Sequence, residues 1–294
     1  MKKYSYLIVF LLLALFVVQA GYYIGEKSPA HDDTNWLTVA WYITHYWTWQ
    51  GDYHVLMHPP LSFYMHGIPL RLLEWWQQRS SITPTPPEGT LAAQFPYPYS
   101  AILKYDTVFT IAKISMLPWM LLLGWYIYRW ATQLYGMYAG LFALSLYVFN
   151  PFLIAYSTIL STDMTIVCFT FLATYYFWRF CQDPSYQRAF VSGITVGLAL
   201  LARASGVLLF PIFCILGLIL WLYRQYSRKH STALDGEVQT LACEVLQKQT
   251  KVCTPKRIIL SVIIILCIAL FVLEAGFLST CSLSGRFVLN NAPI

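Results

Sequence analysis

Apolar runs alternate with polar stretches along this chain, and the runs have the length or composition of membrane helices. The pattern predicts about seven spans, at residues 4–23, 107–128, 137–158, 164–180, 189–202, 206–223 and 258–278. Amide and carbonyl groups inside a bilayer must bond within the protein, which helices achieve on their own. We therefore predict an all-α, polytopic membrane protein that forms a single transmembrane domain over residues 1–294.

The longest polar stretch, residues 24–106, lies between the first and second spans. A helix is predicted over 33–49 because apolar residues recur there at helical spacing: Trp36, Val39, Ala40, Ile43 and Trp47. Prolines at 59 and 60 then interrupt the chain. A second helix is predicted over 61–76, and Pro, Thr and Ser make 80–98 a loop. We expect both helices to be amphipathic and to lie along the membrane.

Composition supports the membrane prediction, since 58% of the residues are hydrophobic and only 11% are charged. The net charge is +6, and the distribution of the basic residues, rather than this total, indicates the orientation in the membrane. Most basic residues fall on one predicted side: Lys2, Lys3, Arg129, Arg179, Arg188, Arg224, Arg228, Lys229, Lys248, Lys251, Lys256 and Arg257. The other side has few, among them Lys27, Arg71, Arg79, Lys104 and Arg203. This asymmetry predicts a cytoplasmic N-terminus, a cytoplasmic loop at 224–257 and no nucleic-acid partner.

The run at 189–202 is short for a complete crossing, and Arg203 follows it directly. A positive charge in the middle of a span is energetically costly. We therefore predict a tight hairpin at Arg203-Ala204-Ser205, which places the charge at the outer interface.

With this topology, polar groups from separate parts of the chain meet at the outer face. They are Asp32, Asp33, His58, Lys113, Asp163 and Arg203. A lysine two turns inside a span, such as Lys113, requires snorkelling or an anionic partner. Carboxylates opposite cations suit a reaction in which an acceptor loses a proton while a phosphate leaves. Simpler roles remain open, because Asp33 and Asp163 also suit helix caps and Arg203 suits snorkelling.

A metal site is not predicted. The seven cysteines are scattered without a zinc spacing. The histidines of the first outer loop, His31, His54, His58 and His66, match no compact metal site either.

Several short motifs follow in a characteristic order. They are Asp32-Asp33, His58-Pro59-Pro60-Leu61, the segment 134–140, Asn150-Pro151, the segment 161–164, and the run from Gly193 to Arg203. Together they resemble the GT-C superfamily of membrane glycosyltransferases. The resemblance is to the branch that contains protein O-mannosyltransferases and the aminoarabinose transferase of lipid A.

The resemblance implies transfer of a sugar from a polyprenyl-phosphate carrier to a lipid, glycan or protein acceptor at the outer face, with inversion and without metal or cofactor. The family's catalytic Asp falls on Asp32 and Asp33 replaces the following Glu, so the resemblance implies that both acids are candidate catalytic residues. Arg203 and Lys113 fall on basic positions that would bind the donor phosphate, together with His58. Asp163 has a supporting role.

Relatives in this family continue with further spans, so part of the expected C-terminal region is absent from this sequence. An inactive fragment is therefore one alternative, and a membrane transporter or lipid-binding scaffold without chemistry is another. The transporter fits less well, because the polar groups gather at one face rather than at the midplane. We expect a bacterial inner membrane as the location.

Overall fold

The computed structural model describes residues 2–27, 31–46, 58–76, 105–231 and 255–281. Within these ranges the regular elements are helices. In chain order they are α1 (Lys2–Glu26), α2 (His31–Tyr46), α3 (Leu61–Trp76), α4 (Tyr105–Ile114), α5 (Leu117–Tyr135), α6 (Met137–Val148), α7 (Pro151–Tyr156), α8 (Asp163–Gln182), α9 (Tyr186–Ala202), a 3₁₀ turn (Ala204–Leu208), α10 (Leu209–Ser231) and α11 (Pro255–Cys281).

Four helical segments in the described part of the chain are long and apolar enough to cross a membrane. They are Ser5–Glu26, Thr107–Tyr135, Asp163–Gln182 and Leu260–Phe277. Shorter apolar helices lie at Met137–Val148, Tyr186–Ala202 and Ala204–Leu220. Large apolar side chains such as Phe10 and Phe271 are mostly exposed, as expected for side chains that face lipid. The prediction of an all-α membrane protein is confirmed. Helices occupy all the predicted spans, and two of these spans, 107–128 and 137–158, are each divided into two helices.

The chain divides into two compact units, which we describe separately. The first unit comprises Met1–Cys168 and Glu274–Ile294, and the second comprises Phe169–Leu273. Function as one transmembrane domain over 1–294 stays a prediction.

In the first unit, α5 and α6 form a tight hairpin joined at Gly136. This glycine has a φ of 92°, a conformation that side chains with a Cβ rarely adopt. The helices remain close beyond the turn. Gly140 shows this, since a Cβ there would collide with Thr132 and lie 2.9 Å from the Tyr128 carbonyl. Helix α1 packs against this pair through Phe16, whose ring stacks on Tyr147 at 5.2 Å. Such close approach through small residues is typical of membrane helices.

Helices α2, α3 and α4 form a second part of the same unit around a shared apolar core. Its buried members are Trp36, Leu37, Val39, Ala40, Trp41, Ile43, Phe63, Leu70, Val108, Phe109, Ala112 and Leu160. Every residue from 36 to 41 in α2 is buried, and six consecutive residues extend around the whole helix. The middle of α2, residues 36–41, is therefore covered by other protein segments on all sides, whereas the sequence predicted a helix with one polar face.

In the second unit, α9 packs directly on α11. A Cβ added at Gly193 would lie 3.0 Å from the Ile265 carbonyl, and one at Gly197 would lie 2.9 Å from the Ala269 carbonyl. The Gly-x-x-x-Gly spacing of the sequence motif therefore has a packing role. Near the start of α9, Arg188 donates to the carbonyls of Arg179 and Asp183 at 3.1 and 3.0 Å, close to the C-terminus of α8.

Candidate functional site

The centre of the candidate site is a buried ion pair in the first unit. Lys113 Nζ of α4 lies 3.2 Å from Asp33 Oδ2 of α2, and their side chains are 5% and 0% exposed. Taking either charge out of water alone is costly, so each stabilises the other's position. A lysine at this depth in an apolar run is predicted either to snorkel or to pair with an anion. Asp33 is that anion.

A third segment contributes a hydrogen bond to the same carboxylate. The Leu160 N–H donates to Asp33 Oδ1 at 3.0 Å. This backbone group had no signal in the sequence, because any residue except proline could supply it. The pair and this hydrogen bond join α2, α4 and the segment before α8.

Local hydrogen bonds explain how Leu160 reaches this position. Asn150 Oδ1 caps α7 by accepting from the N–H groups of Phe152 and Leu153 at 3.0 and 3.2 Å. The hydroxyls of Ser157 and Thr158 then donate to α7 carbonyls at 2.7 and 2.8 Å. Helix α7 therefore ends after about two turns, and the chain turns toward Asp33.

His58 lies just before α3 and contacts α2. Its ring packs against Trp36 of α2 with centroids 5.2 Å apart, and Trp36 also stacks on Phe63 at 4.9 Å. Pro59 and Pro60 are buried, and the Pro60 carbonyl accepts from the Tyr64 N–H at 3.1 Å at the start of α3. The predicted Pro-Pro break and the helix after it are both present. A phosphate-binding role for His58 stays a prediction.

Asp163 begins α8 and is half-buried. Its N–H donates to Ser161 Oγ at 3.2 Å. A carboxylate in the first turn interacts favourably with the positive end of the helix dipole. The structural role considered in the sequence analysis is therefore available to Asp163, and a direct role in the reaction stays a prediction.

Asp32, the predicted base, lies in the first turn of α2 next to Asp33. The placement of its side chain lies outside what the structure describes. The structure describes the side chain of Asp33, which is 0% exposed and pairs with Lys113.

Arg203 belongs to the second unit and is half-buried directly after α9. Its backbone is extended, with φ −160° and ψ 146°, and its carbonyl accepts from the Gly206 N–H at 2.9 Å. The helix is interrupted where the sequence predicted, since α9 ends at Ala202 and the 3₁₀ turn at Ala204–Leu208 leads into α10. A hairpin between two spans at this position stays a prediction. The role of Arg203 as a phosphate ligand stays a prediction.

Contacts in the first unit agree with the predicted sidedness of several segments. The Tyr64 hydroxyl of α3 donates to the Gly276 carbonyl near the end of α11 at 3.2 Å. Asp33, Leu160 and Tyr64 come from segments that the charge pattern places on one side, and so does the end of α11. These segments do meet in the structure. Whether that side is the outer face stays a prediction.

His66 of α3 is a fully buried polar group whose contacts lie on either side of Lys113 in the chain. Its Nδ1 lies 3.3 Å from the Ala112 carbonyl and 3.5 Å from Ser115 Oγ. Helix α3 lies outside the candidate spans. Burial lowers the pKa of His66 to about 4, and the bond to Ala112 opposes this only in part, so the ring is neutral near pH 7.

Metal ligands do not gather in the part of the chain that the structure describes: no group of three His, Cys, Asp or Glu side chains is placed to share an ion there. His54, one of the four histidines considered in the sequence analysis, lies outside the described residues, as does the side chain of His31.

The structure is that of a helical membrane protein with a buried ion pair in its first unit. Residues 100–245 match the family described as dolichyl-phosphate-mannose-protein mannosyltransferase, which is of the GT-C type. The resemblance inferred from the sequence motifs is confirmed. No curated protein and no solved structure matches the chain.

The matched region contains Lys113, Asp163 and Arg203, whereas Asp32, Asp33 and His58 precede it. The ion pair of Lys113 with Asp33 therefore links the matched region to the loop before it. The family match indicates a glycosyltransferase.

Proposed function

We propose that this protein transfers a sugar from a polyprenyl-phosphate carrier to an acceptor hydroxyl at the outer face of the membrane. The observation that carries the proposal is the match of residues 100–245 to the mannosyltransferase family. Because the family description names a dolichyl-phosphate-mannose donor, we propose a polyprenyl-phospho-mannose as the donor and a protein, glycan or lipid hydroxyl as the acceptor.

The buried ion pair supports different roles for the two acids. Asp33 is 0% exposed, and its two oxygens interact with Lys113 and the Leu160 N–H. Such a carboxylate is poorly placed to accept a proton from an acceptor in water, because protonation would leave Lys113 without its counter-charge. We assign Asp33 and Lys113 to holding α2 in place, and Asp32 to the reaction.

The proposed reaction is a direct displacement. The acceptor hydroxyl oxygen attacks the anomeric carbon while its proton passes to the Asp32 carboxylate. The bond from that carbon to the phosphate oxygen breaks on the opposite side of the sugar, which inverts the anomeric configuration. Polyprenyl phosphate leaves with the bonding electron pair.

Arg203 is the residue that we propose for the leaving phosphate. A guanidinium offers two parallel N–H groups to phosphate oxygens and is always charged. Charge stabilisation by such a side chain takes the place of a metal ion at the phosphate. His58 is a further phosphate ligand in this proposal, and Asp163 orients groups at the start of α8.

Transfer of radiolabel from polyprenyl-phospho-mannose tests the proposal in membranes that contain the protein. We expect label in an acceptor fraction, the inverted anomer as product, and no loss of transfer when a chelator is added. Membranes with the Asp32→Asn variant at the same protein level are the matched control. Absence of label with the wild-type protein, across mannose and other lipid-linked sugars, would contradict the proposed function.

A further inference from the structure

The break between α4 and α5 leaves one carbonyl without its usual helical partner. In a continuous helix, the Met116 N–H would donate to the Ala112 carbonyl four residues earlier. Here it donates to the Lys113 carbonyl instead, at 3.1 Å. The Ala112 carbonyl accepts from the Ser115 hydroxyl at 2.6 Å, and His66 Nδ1 of α3 lies 3.3 Å away from it.

The chemistry of these groups fixes the tautomer of His66. A carbonyl oxygen only accepts, so a hydrogen bond with it requires a proton on Nδ1. The lowered pKa of His66, about 4, keeps the imidazole neutral near pH 7. His66 is therefore an Nδ1–H donor to the end of α4. Its other nitrogen, Nε2, is buried and has no hydrogen-bond partner among the described residues.

This donor acts one residue away from Lys113. Ala112 and Ser115 lie on either side of Lys113 at the last turn of α4, and Lys113 extends from that turn to Asp33. The Ala112 carbonyl belongs to the peptide bond that leads into Lys113. By bonding to this carbonyl, His66 fixes the backbone from which the Lys113 side chain extends. Gly67, the next residue of α3, lies against α2: a Cβ there would be 2.7 Å from the Ala40 carbonyl. Helix α3 thus contacts both helices that contribute a charge to the ion pair.

We propose that His66 is a positioning residue for the glycosyl transfer reaction, which acts through the Ala112 carbonyl and the Ser115 hydroxyl to hold Lys113 against Asp33. The reaction itself rests on the proposed function above, but the coupling between His66 and the ion pair does not. His66 does not touch the substrates in this proposal. Its effect on transfer comes from the orientation of α2, which carries Asp32.

Two amide substitutions separate the role of Nδ1–H from the loss of the ring. The side-chain amide nitrogen of asparagine occupies about the position of imidazole Nδ1, whereas that of glutamine lies near Nε2. His66→Asn therefore keeps a donor toward Ala112, and His66→Gln moves it away. Both variants lose the ring and remain polar, so each is the control for the other.

We expect kcat/KM for transfer in purified protein to stay within about threefold of wild type in H66N and to fall by about tenfold in H66Q. The loss should appear in kcat rather than in KM for the lipid donor, because donor contacts are unchanged. Equal activity of the two variants would overturn the positioning role.

A double-mutant cycle with Lys113→Met measures the coupling between His66 and the ion pair through protein stability. It does not depend on transfer activity. We expect H66Q to lower the melting temperature of the wild-type protein in detergent by about 3 °C or more, and to lower that of K113M by clearly less. H66N is the folding control in both backgrounds. Additive shifts would overturn the inference even where transfer is observed. Coupled shifts in a protein that lacks transfer would support the inference and contradict the proposed function.

Discussion

At the residue scale, the pairing of Asp33 with Lys113 makes a prediction about stability. Asp33→Asn and Lys113→Met each leave one charge buried without its counter-charge, which costs about 3–5 kcal/mol. The double variant D33N/K113M removes both charges, and we expect it to be more stable than either single variant. Denaturation of the purified protein in detergent, followed by tryptophan fluorescence, measures how far each of the three variants differs from wild type in its free energy of unfolding.

The amide introduced by Asp33→Asn still offers an oxygen to the Leu160 N–H, so the comparison isolates the charge. Losses that simply add in the double variant would show that the two side chains do not interact in the folded protein.

Arg203 makes a separate prediction about the donor. If it binds the carrier phosphate, Arg203→Ala removes a charge-assisted contact and lowers kcat/KM by about 30- to 1000-fold, which corresponds to about 2–4 kcal/mol. Arg203→Lys should recover part of the activity, because it restores the charge without the paired N–H groups. Kinetics measured over a range of donor concentrations give both values. Unchanged donor kinetics in R203A would mean that another group binds the phosphate.

The sequence identified most of the charged residues at this scale but not how they pair. The position of Lys113 within an apolar run predicted either snorkelling or an anionic partner. The structure shows that the partner is Asp33. Sequence spacing could not choose between Asp32 and Asp33, because that choice depends on the rotation of α2 relative to α4. The contribution of Leu160 could not be predicted, since a backbone N–H is the same in almost every residue.

At the element scale, the contact of α9 with α11 predicts an unequal response to alanine. At Gly197 an added Cβ would lie 2.6 Å from Val272 Cβ and 2.9 Å from the Ala269 carbonyl. Gly197→Ala should therefore destabilise the protein by about 1–3 kcal/mol. At Gly217 of α10 the nearest atom, of Phe177, is 4.0 Å away, and Gly217→Ala should be tolerated. Melting temperatures in detergent compare the two variants, and equal effects would argue against close packing of α9 on α11.

The positions of the helices were predicted more accurately than whether each helix is buried or exposed. The predicted spans are mostly helical, because long apolar runs leave few other ways to satisfy backbone groups in a membrane, although 107–128 and 137–158 are each interrupted by a break. The predicted helix 61–76 coincides with α3 (Leu61–Trp76). The burial of α2 was missed, since residues such as Thr38 and Thr44 resemble a polar face. Both are buried, and their hydroxyls bond within the helix at 2.8 Å.

At the scale of the whole molecule, the distribution of basic residues predicts the orientation in the membrane. A single cysteine at position 89, in a protein without its native cysteines, should react with an impermeant thiol reagent added outside intact cells. A cysteine at position 236 should react only after permeabilisation. Both positions lie outside the described residues. The reverse labelling would place Asp32 and Arg203 on the cytoplasmic side and would contradict transfer at the outer face.

The central claim is that the two neighbouring acids have different tasks, Asp32 in the reaction and Asp33 in the fold. Single-turnover transfer from polyprenyl-phospho-mannose, with rates normalised to folded protein, tests it most directly. We predict that Asp32→Asn abolishes transfer at a normal melting temperature. Asp33→Asn should melt earlier and retain some transfer per folded molecule, reduced at least as much as in H66Q because α2 loses its ion pair with Lys113. Full transfer by the Asp32→Asn variant, or total loss by the folded Asp33→Asn variant, would contradict the account.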